Sequence, residues 1–193
     1  MKRELVYLVL ACFVALSLMV SSCNATETRD ESSAIDEDAI MTISLSSTAF
    51  KEGGKIPVKY TCDGQDISPA LRWDEPPQPT ESLVLIVDDP DAPGGEFTHW
   101  VLFNIPVNIY QFGEGVAAQE QLENGALQGK NDFGRTGYGG PCPPSGSSHR
   151  YRFTIYALDQ RLNLKAGASK KQVIDAIQGH ILAQGQLTGT YQR

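Results

Sequence analysis

Two histidines, two aspartates and a tyrosine stand in this sequence where they could hold an anion. Asp89 and Asp91 belong to Asp88-Asp89-Pro90-Asp91-Ala92-Pro93, which ends an aliphatic stretch, and His99 opens the run HWVLFN just beyond it. His149 and Tyr151 lie in a second motif, GRTGYGGPCPPSGSSHRYRFTIYAL, from Gly134 to Leu158. A protonated imidazole donates to an anion, and a carboxylate beside it favours that charged form. Tyr151 offers a neutral hydroxyl donor, and the Gly140 backbone offers an N–H. The same residues admit another chemistry, because His99, His149 and Asp89 make a two-histidine, one-carboxylate set of the kind that holds non-haem iron. Neither motif has an activated Ser or Cys beside it, so covalent catalysis lacks a nucleophile. Each residue also has a plainer reading. The aspartates can cap a turn, His99 can be a core histidine bonded to a carbonyl, and Arg135 and Arg150 can hold their loop together. His180 follows Gly179 outside both motifs and reads as a surface residue.

For the first five side chains to meet, two loops must converge at one end of a sheet. Leu83 to Val87 is uninterrupted aliphatic sequence, the pattern of a strand buried on both faces. His99 to Asn104 reads as the next strand, closed by Pro106, and Tyr151 to Leu158 as another, built from alternating aromatic and β-branched residues. The Gly- and Pro-rich half of the second motif suits a fixed loop, since Gly admits positive φ and Pro locks φ.

The remaining elements are mostly β. Met41 to Leu45 alternates as a strand with one wet face, and Ile56 to Tyr60 begins a second after the Gly53-Gly54 turn. Pro76, Pro77 and Pro79 exclude helix. Residues 112 to 130 show no period and read as loop, with a short strand around Ala126 to Gln128. One helix is expected: Ser169 and Gln172 form a capping box, Val173, Ile174 and Ile177 share a face, and Gly179 stops the run. Ile181 to Tyr191 reads as a terminal strand. The expected fold is a single mainly β domain over residues 41–193, an antiparallel β-sandwich with one or two peripheral helices.

The N-terminus reads as an export signal. Lys2 and Arg3 precede an apolar run from Leu5 to Val20, too short to span a bilayer, and small residues follow it. Val20-Ser21-Ser22-Cys23 is similar to a bacterial lipobox. Residues 1–22 are then a lipoprotein signal peptide, Cys23 carries the lipid, and the polar, acidic residues 23–40 are a flexible tether. The expected location is the bacterial envelope, with an extracytoplasmic domain held at the membrane, the outer one in preference. Of the four cysteines, Cys12 leaves with the signal and Cys23 is acylated, which leaves Cys62 and Cys142 to form one disulfide. There is no CxxC pair for a structural zinc site. A formal charge of −7 argues against nucleic acid as a partner.

DDPDAP followed by HWVLFNIP, and then GRTGYGGPCPPSGSSHRYRFTIYALD, resembles the phosphatidylethanolamine-binding protein family, in particular its bacterial Raf kinase inhibitor-like branch. IPVKYTCDGQDISPALRW fits the same branch, and the resemblance runs from about Ile43 to the C-terminus. It implies a β-sandwich with a small anion-binding cavity at one end. Carried over position by position, it assigns to that cavity Asp89, Asp91 and Pro93 of the acidic loop, His99, the wall residues Gly140 and Pro141, and His149 with Tyr151. Phe97 stands where animal members carry a tryptophan, and Cys142 departs from the animal pattern. The function expected is a non-enzymatic binding module for a small anion or phosphorylated group, with no metal and no cofactor. The alternatives are an inhibitor of an envelope protease or other protein partner, as the family implies for some members, and the metal-dependent enzyme built on His99, His149 and Asp89.

Overall fold

The computed structural model describes residues 40–193. The signal peptide, Cys23 and nearly all of the tether therefore lie outside the described residues. Two sheets and one helix form three layers. The larger sheet holds β1 (Met41–Thr42), β4 (Ser82–Asp89), β5 (Phe97–Ile105), β7 (Leu127–Gln128), β8 (Ser148–Leu158) and β9 (Ile181–Gln192), in the order β1-β9-β8-β4-β5-β7. The smaller sheet holds β2 (Leu45–Ser47), β3 (Leu71–Trp73) and β6 (Gln111–Phe112). The helix is α1 (Lys170–Ile177). Pairing is antiparallel except between β1 and β9.

The alternation of β4 explains the layering. Leu83, Leu85 and Val87 join the core shared with the smaller sheet, where they meet Leu71, Trp73 and Phe112. Val84 and Ile86 point the other way and pack with Val173 and Ile177 of α1. Every residue of β4 is buried, because both faces of this central strand are covered. The same parity governs its last two residues. Asp89 continues the face of Val87, while Asp88 faces α1, where the Lys170 ammonium stands 2.7 Å from Asp88 Oδ1, off the angle of a hydrogen bond.

Three sequence expectations need correction. Met41 to Leu45 is two strands in different sheets, because the chain crosses between them at Ile43 and Ser44. The crossing is close: a Cβ on Gly185 of β9 would meet the Ile43 carbonyl at 1.9 Å, so only glycine fits there. Ile56 to Tyr60 is a 3-10 turn (Val58–Tyr60) entered through Pro57, which cannot donate to a sheet ladder. Strand β6 ends on Phe112, the first residue of the stretch read as loop, and its two residues are too few to show a period. The helix is as expected: Ser169 Oγ accepts from Gln172 N–H, and Gln172 Oε1 accepts from Ser169 N–H at 2.9 Å.

Candidate functional site

At one end of the larger sheet, Asp89, Pro93, Phe97, His99, Phe133 and His149 line a cavity of about 260 Å³, closed on one side by the Cys142–Pro144 wall. Strands β4, β5 and β8 deliver the three titratable groups. Asp89 and His149 come from neighbouring antiparallel strands in which Asp88 pairs with Arg152. His149 shares the face of Tyr151, Phe153 and Ile155, so its ring points to the same side of the sheet as Asp89.

His99 reaches that side by a different route. Along β5, Trp100 and Leu102 face the sandwich core and Val101 and Phe103 face the helix, so strict alternation would turn His99 toward the helix. The pairing with β4 slips here, however: Val87 opposes Trp100 and Asp88 opposes Thr98, leaving His99 as an extra residue. This β-bulge re-aims the side chain, and His99 joins Asp89 in one cavity.

The hydrogen bonds define what each group can offer. His149 Nδ1 lies 2.7 Å from Asp89 Oδ2, and its Nε2 lies 3.1 Å from Ser147 Oγ. Asp89 Oδ1 accepts from the Asp91 N–H at 2.8 Å, which fixes the turn of the acidic loop. His99 Nδ1 donates to the Gly139 carbonyl at 2.6 Å, and this leaves Nε2 for a ligand. Burial lowers the His99 pKa, against smaller opposing effects of the Gly139 carbonyl and the Asp89 charge, so the ring is neutral at pH 7. Tyr151 is 1% exposed and stands behind the cavity lining; its hydroxyl makes no well-formed hydrogen bond, although the Asp89 carboxylate and the Cys142 backbone lie close to it. Burial raises its pKa far above the usual phenol value, with the Asp89 charge adding to the effect. The hydroxyl is thus a fully protonated donor, and its ring packs edge-on against His99 with centroids 5.1 Å apart.

Three further residues expected at the ligand also stand outside the cavity lining. Asp91 is turned outward to Arg150, whose guanidinium binds both its oxygens at 2.6 and 2.9 Å and whose backbone N–H adds a third bond. Those bonds hold the Asp91 pKa down to about 2. The Gly140 N–H is spent on Asp66 Oδ1 at 2.6 Å. Pro141 lies behind the wall, its carbonyl accepting from the Cys62 N–H at 3.1 Å. The cavity wall is one step further along, at Cys142, Pro143 and Pro144, and Cys142 is tied to Cys62 by a disulfide with Cα atoms 5.4 Å apart.

Phe133 had no signal in the sequence, because it falls in the short gap between the aperiodic stretch 112–130 and the second motif. It packs against Phe97 and His99 with centroids 4.8 and 5.4 Å apart, and Arg135 covers it at 5.2 Å. The site is therefore half polar and half aromatic. Among the described residues, no three His, Cys, Asp or Glu side chains converge as a metal would require. A larger hollow of about 330 Å³ along Lys55–Val58 and Thr190–Gln192 holds no carboxylate or imidazole.

A family model described as phosphatidylethanolamine-binding protein matches residues 46–192. A UPF0098 protein of Methanothermobacter thermautotrophicus is 51% identical over 151 residues, covering 78% of this chain and 99% of that protein. A UPF0098 protein of Pyrococcus horikoshii is 49% identical over 150 residues, covering 76% and 75% respectively. Among solved structures, the phosphatidylethanolamine-binding protein homologue CT736 of Chlamydia trachomatis superposes with a TM-score of 0.72 at 41% identity, over 79% of this chain and 98% of that one. Escherichia coli YbcL, described as a member of the mammalian family, gives a TM-score of 0.73 at 31% identity over 78% and 98%.

Proposed function

This chain belongs to the phosphatidylethanolamine-binding protein family, and from that premise we propose that it holds a small anion or phosphorylated group in the cavity at the end of its larger sheet. It does so as a binding module, not as a catalyst. The observation that carries the reading is the cavity itself, whose polar lining is Asp89, His99 and His149, with the Tyr151 hydroxyl buried beside them. That hydroxyl makes no well-formed hydrogen bond, although the Asp89 carboxylate and the Cys142 backbone lie close to it. A buried donor left unpaired costs about 1–3 kcal/mol, and a ligand oxygen would recover it. His149 Nε2 and the Ser147 hydroxyl offer a second polar contact, while Phe97 and Phe133 accept an apolar substituent. The cavity of about 260 Å³ is lined by Asp89, His99 and His149 with no Lys or Arg, so the bound group is small and carries little charge.

The reading includes location. The basic start, the short apolar run and Ser21-Ser22-Cys23 support an exported lipoprotein anchored through Cys23, with the domain outside the cytoplasm. Stable membrane association lost in Cys23→Ala is the expected result, and partitioning unaffected by that change would contradict the anchor.

Calorimetric titration of phenyl phosphate tests the cavity itself. Tyr151→Phe keeps the ring and removes the donor, so affinity should fall about fivefold to thirtyfold. His180→Ala should leave it unchanged, since His180 is exposed and paired only with Asp159. Equal affinity of wild type and Tyr151→Phe would mean that the ligand lies elsewhere.

A further inference from the structure

The Cys142–Pro144 wall of the cavity is held differently from the segment that leads into it. Up to Pro141, hydrogen bonds tie the loop to the domain. The Tyr138 hydroxyl donates to the Tyr60 carbonyl, the Gly140 N–H to Asp66, and the Cys62 N–H to the Pro141 carbonyl. Among the described residues, the next backbone bond of this kind is from the Gly146 N–H to the Arg193 carbonyl. Between those points the Cys62–Cys142 disulfide is the restraint, and both of its cysteines are exposed.

The two sulfurs stand in different fields. The Arg193 guanidinium lies beside the bond, with Nε 3.1 Å from Asp63 Oδ2 and Nη2 3.1 Å from Asp63 Oδ1. Its third nitrogen, Nη1, reaches Cys142 Sγ at 4.0 Å. The Tyr191 hydroxyl donates to the same Asp63 at 2.7 Å and fixes the pair in place. The positive end of this ion pair is therefore at Cys142, and its negative end belongs to the residue that follows Cys62 in the chain. Asp89, which shares the cavity lining with Cys142, is already engaged by His149. A thiolate at Cys142 thus gains a cation, whereas one at Cys62 gains a carboxylate as its neighbour.

In thiol–disulfide exchange, the sulfur that forms the more stable thiolate leaves faster. We propose that Cys62–Cys142 is a directed exchange site through which a dithiol reductant opens the cavity wall. A thiolate of the reductant attacks Cys62 Sγ, the bond between the two cysteines breaks, and Cys142 leaves with the electron pair as a thiolate beside Arg193. The second thiol of the reductant then attacks its partner sulfur in the mixed disulfide and displaces Cys62, which takes up the proton that thiol gives up. The reductant ends as its own disulfide, and the protein gains the two electrons. With the bridge gone, the wall beside Asp89, His99 and His149 is tethered only at its ends, whatever group the cavity holds. Arg193 is a positioning residue for the leaving sulfur, and Asp63 orients it.

The test exposes the full-length protein to glutathione, a monothiol that halts at the mixed disulfide. The reaction is quenched with N-ethylmaleimide and the peptides are mapped by mass spectrometry, which separates Cys62 and Cys142 from Cys12 and Cys23. Early in the reaction, glutathione on Cys62 with maleimide on Cys142 should exceed the reverse pattern by about fivefold or more. Arg193→Gln should slow the opening by about twofold to fivefold and shrink that excess, and Arg193→Lys should restore both, because a cation near the sulfur is what they share. The wild-type pattern decides the direction even if a variant misfolds. Equal or reversed labelling in wild type would overturn the proposal. So would a folded protein that glutathione leaves untouched while the urea-unfolded chain reacts, or reduction by dithiothreitol that leaves amide exchange across 142–147 unchanged.

Discussion

His149 Nδ1 and Asp89 Oδ2 lie 2.7 Å apart with their side chains 4% and 5% exposed. Neither reaches bulk water, so each is the other's main compensation for burial. His149→Ala leaves Asp89 with the Asp91 N–H as its remaining hydrogen bond and should cost about 2–4 kcal/mol of stability. The shift of the urea midpoint measures it, and a variant as stable as wild type would mean that the pair is solvated in solution.

Gly140 is a second sensitive point. A Cβ there would meet the Tyr60 carbonyl at 2.5 Å and Asp66 Oδ1 at 2.8 Å, so the backbone must move. Gly140→Ala should destabilise the domain by about 1–3 kcal/mol. It should also weaken ligand binding, because the displaced segment leads into Cys142–Pro144. Unchanged stability would show that the loop yields freely.

The Cys62–Cys142 disulfide closes a separation of 80 residues. The chain-entropy model gives such a closure about 4.5 kcal/mol. Both cysteines are exposed, so a mild reductant reaches them. Reduction should lower the melting temperature, and hydrogen exchange should rise around 139–144. Two free thiols counted on unreduced, unfolded domain would contradict the bridge.

Burial lowers the His99 pKa below its ordinary value of 6.5. The unfolded chain then binds more protons than the folded one as pH falls through about 6.5, so stability rises with pH across that window and is lost on acidification. Urea midpoints between about pH 8 and pH 5 should show the slope, and His99→Gln should flatten it. Identical slopes in the two proteins would mean that His99 stays hydrated.

The sandwich and the central strand were legible because their signals are long and local. Leu83 to Val87 has no polar residue to break it, and Ser169 with Gln172 writes its own cap. The resemblance of two long motifs carried the rest, since nothing in periodicity alone says that two loops meet. The aim of His99 was not legible: HWVLFN contains no glycine or proline to mark the bulge, which appears only in the register against β4. Asp91 and Asp89 look equivalent in DDPDAP, yet strand parity turns Asp89 inward and Arg150 takes Asp91 outward. The Gly140 N–H was lost to Asp66, a residue 74 positions away that no local pattern could pair with it. Phe133 was missed because a lone aromatic in a loop is indistinguishable from an exposed one until Phe97 and His99 are seen against it.

A crystal structure of the protein with phenyl phosphate tests the central claim most directly. The account predicts the phosphoryl group in the cavity, one oxygen within hydrogen-bond reach of the Tyr151 hydroxyl, another near His149 Nε2 and Ser147, and the phenyl ring against Phe97 and Phe133. An ester seated in the hollow along Lys55–Val58, or a cavity that stays empty at saturating ester while calorimetry reports binding, would contradict it.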